Sequence, residues 1–474
     1  MNPNLFSRRL ALKSAACGFG YMALAGLNAS QASAATNPLA PRLPLMAPRA
    51  KRVIFLFMQG GVSQVDSFDY KPTLIKQDGQ KITFDDDRQQ ANTGKGSSSQ
   101  RVMKPMWEFS QHGRCGRWAS NLFPEINKHV DDLCFLHGLH TEGVAHGPAT
   151  LFLHCGATNF IRPSMGSWVL YGLGSENENL PGFVSIAPSA GNGGPRNYGS
   201  AFLPAVYQGT AIGRAGGPAS DLVIRNLANG EGSPQTQRRS FDLLRQMNAE
   251  QLKHEPGDLE LEAVVNSYEL AGRMENRAPD ALDLAGESAQ TLALYGINEK
   301  ATDTFGRQCL MARRLCESGV RYVQVTYGDG SANPAWDQHS NLPKHKQHAL
   351  ATDKPVAALL TDLKQRGLLE DTVVWWGSEF GRTPYAQNNG TGRDHNPGGF
   401  TVWLAGGGVK PGFAYGATDE FGHRAVEGKV HMHDLHATVL RLLGMDHEKL
   451  TYRYSGRDFR LTDVAGRVIS DVIA

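Results

Sequence analysis

The sequence is poor in cysteine. Its 474 residues include 6 cysteines, and no two of them form a Cys-x-x-Cys pair. Cys309 and Cys316 fall on a predicted helix, about 10 Å apart along its axis, which is too far for a disulfide. The cysteine pattern therefore argues against a zinc knuckle or a disulfide framework and favours buried thiols.

A surplus of charge of either sign is also missing. The 48 Lys and Arg residues nearly balance the 46 Asp and Glu residues, which leaves a net charge of +2. Nucleic-acid-binding domains carry a clear basic surplus, so we expect no nucleic-acid partner. Hydrophobic residues make up 41% of the chain, enough for the large core of a globular protein.

Beyond the N-terminal segment, no apolar run is long enough to cross a bilayer, so no membrane span is expected in the mature chain. The segment Ser7-Arg8-Arg9-Leu10-Ala11-Leu12-Lys13 resembles a twin-arginine export motif, and Ala32-Ser33-Ala34 resembles a cleavage site. We therefore interpret residues 1–34 as a signal peptide and expect a periplasmic or secreted protein. A linker over residues 35–50 precedes a single domain, residues 51–474, with a helical insertion around 237–294.

Strand and helix patterns alternate in the last third of the chain. Val373 to Trp376 and Phe400 to Leu404 are apolar runs typical of strands buried on both faces, which favours a parallel sheet. A helix is predicted from Asp303 to Glu317 and a strand from Val320 to Thr326. Repeated βα units of this kind predict a three-layer α/β/α fold with a mostly parallel central sheet. The other predicted elements are strands at Val53 to Phe57, Leu133 to Leu136 and Phe183 to Ala187, and helices at Arg162 to Leu173, Leu350 to Arg366 and Asp434 to Gly444, the last with Asp434 as its N-cap.

Polar side chains follow several of these strands, where ligand sites of open α/β sheets lie. Asp337 and His339 are two positions apart, so in an extended segment both side chains point the same way and can hold one divalent metal. Glu379 and His395 fall in other loops at the same edge of the predicted sheet. Because adjacent residues do not easily face one ion, His395 is the expected ligand and Asp394 the residue that positions it.

Two further segments carry polar groups. A glycine-rich turn after the first strand contains Gln59, Ser63 and Asp66, and it is either a tight β-to-α turn or a loop that places these groups over the sheet edge. His146 opens a helix through Gly147 and Pro148, and a helix N-terminus is suited to holding an anion.

Two clusters have a structural interpretation beside the functional one. The acidic run Asp85-Asp86-Asp87 is favoured as a solvated loop over a metal cluster, because no apolar residues flank it. The pair His431 and His433 is favoured as a polar approach to the helix cap at Asp434, with a place in the site as the alternative.

Several motifs together resemble the superfamily of sulfatases and alkaline phosphatases. Val373 to Gly381 is similar to the strand and Ser-Asp-His-Gly motif of that superfamily, and His395 to Gly406 is similar to its later ligand histidine with the following strand. His146 to Gly156 is similar to the nucleophile helix, and Asp434 to Gly444 to the closing helix. With the export signal, the whole chain resembles exported twin-arginine sulfatase-like bacterial proteins of unassigned function.

The resemblance implies an alkaline-phosphatase-like fold, and this chain departs from the superfamily at the site. Gln59 stands where a first metal-ligand Asp is expected, Glu379 and Phe380 replace an Asp-His pair, and His146 takes the nucleophile position. The ligands implied here are Asp337, His339, His395 and Glu379, for zinc, calcium or manganese.

The implied activity is hydrolysis of a phosphate or sulfate ester, either a small molecule or a polysaccharide. His146 would be the nucleophile or the general acid/base, and Arg382 would clamp the anion. The alternative is a non-catalytic periplasmic binding protein on the same fold, because a fold alone does not carry function. The sequence gives no indication of the oligomeric state.

Overall fold

The computed structural model describes residues 37–84, 99–224, 233–254, 265, 268, 270, 273, 281–331, 333–387 and 390–474. The predicted signal peptide, the acidic run at 85–87 and most of the predicted insertion between 255 and 280 lie outside the described residues. The described part of the linker, residues 37–50, contains no helix or strand.

Nineteen strands are formed by the described residues: β1 Arg52–Met58, β2 Lys81–Thr83, β3 Ser99–Arg101, β4 Phe109–His112, β5 Arg117–Ser120, β6 Leu133–His140, β7 Phe183–Ile186, β8 Thr210–Ile212, β9 Tyr322–Tyr327, β10 Thr372–Gly377, β11 Gly381–Ala386, β12 Arg393–Asn396, β13 Phe400–Ala405, β14 Phe413–Tyr415, β15 Ala417–Thr418, β16 Ala425–Glu427, β17 Val430–His431, β18 Tyr452–Tyr454 and β19 Arg457–Phe459. The α-helices are α1 Pro72–Lys76, α2 His146–Cys155, α3 Met165–Leu173, α4 Pro234–His254, α5 Ala289–Leu294, α6 Asp303–Glu317, α7 His345–Gln365 and α8 Met432–Leu442.

A central sheet organises the domain, with strand order β14-β6-β13-β10-β1-β9-β7-β8 and with β17 also paired to β6. The pairs on both sides of β1 are parallel, as are those that join β7 to β8 and β9. The mostly parallel α/β fold predicted from the sequence is therefore confirmed. Central strands such as β10 are buried along their whole length, which is why their sequences are continuous apolar runs.

Helices cover both faces of the sheet and produce two cores. Alternate residues of β1 face opposite ways: Ile54 and Leu56 pack with residues of α6 and α7, whereas Phe55 and Phe57 pack with residues of α2, α3 and α8. We refer to these as the α6/α7 face and the α2/α8 face. This is the α/β/α layering that the sequence predicts.

One strand runs against the prediction. β13, expected in a parallel arrangement, pairs antiparallel with both β10 and β6. The reason is its connection: β10 leads into the β11–β12 hairpin without a crossover helix, so the chain re-enters the sheet from the same edge that it left. An apolar run buried on both faces does not distinguish the two directions.

Some boundaries also differ from the prediction. α7 begins at His345, earlier than expected, and Pro355 lies inside it. α8 begins earlier too, because His431 is its N-cap and Asp434 is the third helical residue of a capping box. The prediction of Asp434 as N-cap is therefore wrong by one turn, although its carboxylate does accept the His431 backbone N–H, at 3.0 Å.

Among the described residues, no helix is both long enough and apolar enough to cross a membrane.

Candidate metal centre

Four side chains from separate parts of the chain meet at the carboxyl edge of the sheet. His146 is the first residue of α2, Asp337 and His339 lie in the loop after β9, and His395 lies in β12. One ligand atom from each of the four lies within 4.8 Å of all the others. Among the described residues, this is the group of His, Asp, Glu or Cys side chains whose spacing could hold a metal ion.

The Asp337 carboxylate is the hub of the cluster. Its Oδ1 lies 2.8 Å from His339 Nε2 and 3.4 Å from His395 Nε2, and its Oδ2 lies 3.2 Å from His146 Nε2. The Nε2 atoms of His339 and His395 are 3.0 Å apart. The Asp337 side chain is 1% exposed, so its carboxylate is buried among these groups.

The other ring nitrogen of each histidine faces an acceptor. His146 Nδ1 lies 2.7 Å from Glu379 Oε1, His395 Nδ1 lies 2.9 Å from the carbonyl oxygen of Val144, and His339 Nδ1 contacts Gln387 Oε1. Since neither a carboxylate nor a carbonyl donates, each Nδ1 carries the proton in the neutral imidazole. In that form each Nε2 presents a lone pair to the centre of the cluster, whereas a protonated Nε2 donates to the Asp337 carboxylate.

In the neutral form, three lone pairs and a carboxylate face one another, a set of donors that suits a cation. In a tetrahedral zinc site with bonds of 2.0–2.1 Å the ligand atoms are about 3.4 Å apart. Here the contacts around Asp337 are 2.8 to 3.4 Å, and all the ligand atoms of the group lie within 4.8 Å of one another. Metal-bound histidines also typically donate their second ring nitrogen to a carboxylate or carbonyl, as all three do here. The four residues therefore fit a divalent metal.

The pKa values of His395 and Asp337 agree with a role as metal ligands. Burial lowers the pKa of His395 to about 3, despite the opposing effect of Asp337. For Asp337, burial raises the pKa, but hydrogen bonds from His146, His339 and His395 outweigh it and hold the pKa far below its ordinary value. His395 is thus neutral and Asp337 ionised at neutral pH, as metal ligands must be.

The structure places His146, and not Glu379, among the four clustered side chains. Both oxygens of Glu379 lie 3.0 Å from the backbone N–H of Gly60, and Oε1 also accepts from His146, so Glu379 lies outside the metal-ligand group. His146, expected as nucleophile or acid/base, points Nε2 at the metal position instead. Its pKa is lowered by burial but raised more by hydrogen bonds to Asp337 and Glu379, with a net rise.

Arg382 does not have the geometry of an anion clamp. Its guanidinium is 0% exposed and donates to the carbonyl oxygens of Gly60, Gly61 and Arg393 and to Asp337 Oδ1, the last at 2.7 Å. Because its donors are bonded within the protein, the guanidinium has none directed at a substrate. Arg382 instead fixes the hub carboxylate and ties the β11–β12 hairpin to the turn after β1.

The residues expected around the site lie near it without joining it. Asp66 forms a fully buried ion pair with Arg393 at 2.7 Å and accepts from Ser63 Oγ, so both residues anchor the strand that carries His395. Asp394 Oδ1 accepts from the backbone N–H of His395 at 2.8 Å. Gln59 is fully buried beside Gly328, and its amide atoms have no hydrogen-bond partner among the described residues.

The paired histidines of α8 have a structural role. His433 Nε2 lies 2.9 Å from the carbonyl oxygen of Gly156, just beyond α2, and His431 caps α8. His436, which the sequence did not single out, lies 2.7 Å from the carbonyl oxygen of Leu153. These contacts satisfy carbonyls at the end of α2, where a helix leaves them without intrahelical partners. The sequence also gave no motif for Gln387 and Val144, whose contacts to the histidines depend on tertiary structure.

These observations define a mixed α/β protein with a four-residue candidate metal centre at the carboxyl edge of its sheet. The chain belongs to the family described as proteins of unknown function DUF1501, whose match spans residues 50–473. No curated protein matches the sequence.

Solved structures of similar shape include several hydrolases and a synthase. A lipoteichoic acid synthase from Listeria monocytogenes is 8% identical, with a TM-score of 0.38 over 90% of this chain and 80% of that chain. A sulfatase from Pseudoalteromonas sp. is 11% identical, with a TM-score of 0.34 over 84% and 69%. Alkaline phosphatase from the Antarctic bacterium TAB5 is 10% identical, with a TM-score of 0.33 over 83% and 98%. At these levels of similarity, neither an activity nor a substrate follows for this chain.

Proposed function

We propose that the protein is an exported, metal-dependent hydrolase of a phosphate or sulfate ester. His146, Asp337, His339 and His395 hold one divalent metal in this proposal. The observation that carries it is the convergence of three imidazole Nε2 atoms on one buried carboxylate, with an acceptor behind each Nδ1.

Zinc is the metal that suits this donor set best. Three neutral imidazoles and one carboxylate are typical zinc ligands, whereas calcium prefers six to eight oxygen ligands. Manganese also favours carboxylate and water oxygens over imidazole. We therefore favour zinc among the three metals considered from the sequence.

A divalent metal in this position would polarise an ester oxygen or lower the pKa of a water molecule. The protein's own groups prepare the position: Arg382 holds Asp337 in place, and Glu379 holds His146 with Nε2 turned inward. Because both ring nitrogens of His146 are engaged, we assign the attacking group to water and not to this histidine.

Metal analysis of protein purified without chelator tests the metal site. We expect close to one metal per chain in wild type and a large loss in Asp337→Ala and in His395→Ala. The control is His129→Ala, since His129 pairs with Asp132 on a different part of the fold. Wild-type levels of metal in both ligand variants would refute the site.

Turnover of an activated aryl phosphate and an aryl sulfate by the zinc-loaded protein tests the hydrolase assignment. We expect turnover of at least one ester by wild type and none by Asp337→Ala.

One observation favours the second candidate, a non-catalytic binding protein. Four protein ligands fill a tetrahedral shell, as in structural zinc sites, whereas catalytic zinc sites keep one position open. For hydrolysis, the metal would then need a fifth coordination position, or one of the four side chains would have to leave it, so that water or substrate can bind. A fully metal-loaded wild type that turns over neither ester would establish the second candidate.

A further inference from the structure

A cavity of about 460 Å³ adjoins the metal centre. Asp337 and His339 line it, together with Lys344, which directly precedes α7, and His348 in the first turn of α7. The volume lies within the range of small-molecule sites. His339 is the ligand that reaches solvent here, with 27% of its side chain exposed. The cavity is therefore a route by which a substrate can reach the metal position.

Lys344 is the one full positive charge among the described residues that line this cavity. His348 also lines it, but burial lowers its pKa to about 4, so it is neutral at pH 7. Within the described part of the chain, no hydrogen bond or ion pair engages the Lys344 ammonium, whereas Arg382 has no donor directed at a ligand. Lys344 is thus an exposed lysine at the cavity whose ammonium has no partner in the described part of the chain.

The backbone of Lys344 is held in place on both sides. Leu342 and His345 are both 0% exposed, and the His345 ring packs edge-on against Trp336 at 4.9 Å. Trp336 precedes Asp337 directly, so the same packing locates the lysine and the hub carboxylate. A lysine on an anchored backbone loses less freedom when it binds an anion than one on a loose loop.

Asp329 is the carboxylate that opposes anion binding in this cavity. It lines the same space, and its Oδ1 accepts from the backbone N–H of Ser331 at 2.9 Å. The charge of Asp337 is already offset by Arg382 at 2.7 Å. Asp329 and Lys344 therefore have opposite effects on a bound anion, which makes them a useful pair of test positions.

We propose that this cavity is the substrate site and that Lys344 binds the anionic oxygens of the ester group. This inference rests on the proposed function, because it places the phosphate or sulfate between Lys344 and the metal held by Asp337 and His339. It assigns to Lys344 the anion-binding role that the sequence suggested for Arg382.

The test measures the binding of inorganic phosphate and of inorganic sulfate to the zinc-loaded protein by calorimetry at constant ionic strength. Lys344→Gln should weaken binding of the preferred anion about tenfold, the loss of one charge-assisted hydrogen bond. Lys344→Arg should restore most of it, and Asp329→Asn should tighten it. The matched control is Lys346→Gln, an exposed lysine two residues away that does not line the cavity, which should bind like wild type.

The outcomes separate this inference from the proposed function. Equal anion affinity in Lys344→Gln and wild type would overturn the role of Lys344, while metal content and ester turnover would still support the hydrolase. A Lys344-dependent anion affinity without turnover of any ester would support the anion site and overturn the hydrolase. Equal weakening in the Lys344 and Lys346 variants would show only a general effect of charge and would also overturn the inference.

Discussion

At the scale of single residues, Glu379 contacts a histidine of the candidate metal centre from outside the ligand group. It accepts two contacts from the backbone of Gly60 and one from His146, and it is 0% exposed. The carboxylate fixes the tautomer and the orientation of His146 and makes its Nε2 a stronger donor to a cation. Asp394 and Gln387 flank His339 in a similar way, from the β11–β12 hairpin.

Glu379→Gln should weaken metal binding while the fold is retained. The amide keeps the size of the side chain but removes the charge behind His146, and comparable changes lower metal affinity about 10- to 100-fold. Competition with a fluorescent chelator measures this affinity. Glu370→Gln, at an exposed position before β10, is the control and should not change it. An affinity equal to wild type in Glu379→Gln would mean that His146 is oriented by other groups.

At the scale of elements, the β11–β12 hairpin and the loop after β9 must lie very close together to bring His395 to Asp337 and His339. Gly392 marks the contact: a Cβ on this residue would lie 2.1 Å from the backbone carbon of His339 and 2.3 Å from the backbone nitrogen of Ser340. Backbone atoms cannot move aside as a side chain can. The absence of a side chain at this position is thus a condition for the candidate metal centre to form.

Gly392→Ala should therefore disturb the site more than the addition of a single methyl group suggests. We expect destabilisation of about 1–3 kcal/mol from overpacking, together with reduced metal content. Gly390→Ala lies in the same hairpin, where the nearest described atom would be 3.2 Å from the added Cβ, and it should be close to wild type in both respects. Similar metal content and melting temperature in the two variants would contradict the close approach.

A second contact between elements depends on pH. Asp353 of α7 accepts the backbone N–H groups of Glu125 and Ile126 at 2.7 Å each, at the start of the short helix Ile126–Asp132. Burial raises the pKa of Asp353 to about 7, although these two hydrogen bonds lower it. In the unfolded chain its pKa is about 3.9.

Between about pH 4 and pH 7 the folded state therefore binds this proton more tightly than the unfolded state. The stability gained from the protonated Asp353 is complete below pH 4 and is lost as the pH rises to 7. The free energy of unfolding falls by at most about 1.4 kcal/mol per pH unit in this range. Asp353→Asn cannot ionise, so its free energy of unfolding should fall less than that of wild type between pH 5 and pH 7. Denaturant titrations at the two pH values measure the difference, and parallel changes in both proteins would show that Asp353 does not titrate in this range.

The sequence was sufficient for the central strands and the main helices, and for the proposal of part of the candidate centre. Asp337, His339 and His395 could be proposed because their spacing and their positions after predicted strands are local features. The presence of His146 in the group, and the position of Glu379 behind it, were not predictable, since they depend on which carboxylate reaches which ring nitrogen after folding. The direction of β13 was hidden for a similar reason: burial on both faces sets the composition of a strand, whereas the hairpin before it sets the direction.

At the scale of the whole molecule, the route of export remains a prediction from residues 1–34. Changing both Arg8 and Arg9 to Lys should leave the unprocessed precursor in the cytoplasm, because the pair is the recognition feature of a twin-arginine signal. Fractionation and N-terminal sequencing measure the outcome. Processing of the double variant to a form that begins near Ala35 would rule out this route.

The placement of the thiols gives the two faces of the sheet separate chemical labels. The described residues contain five cysteines, none of them in a disulfide. Cys309 and Cys316 lie in the core of the α6/α7 face, and Cys134 lies in that of the α2/α8 face. Burial raises the pKa of Cys134 and Cys316 to about 12 and raises that of Cys309 as well, so these thiols are protonated and unreactive in the native state. Alkylation of Cys309 or Cys316 thus requires opening of the α6/α7 face, and alkylation of Cys134 requires opening of the α2/α8 face. The two alkylation rates therefore report whether the two layers open independently or only when the whole domain unfolds.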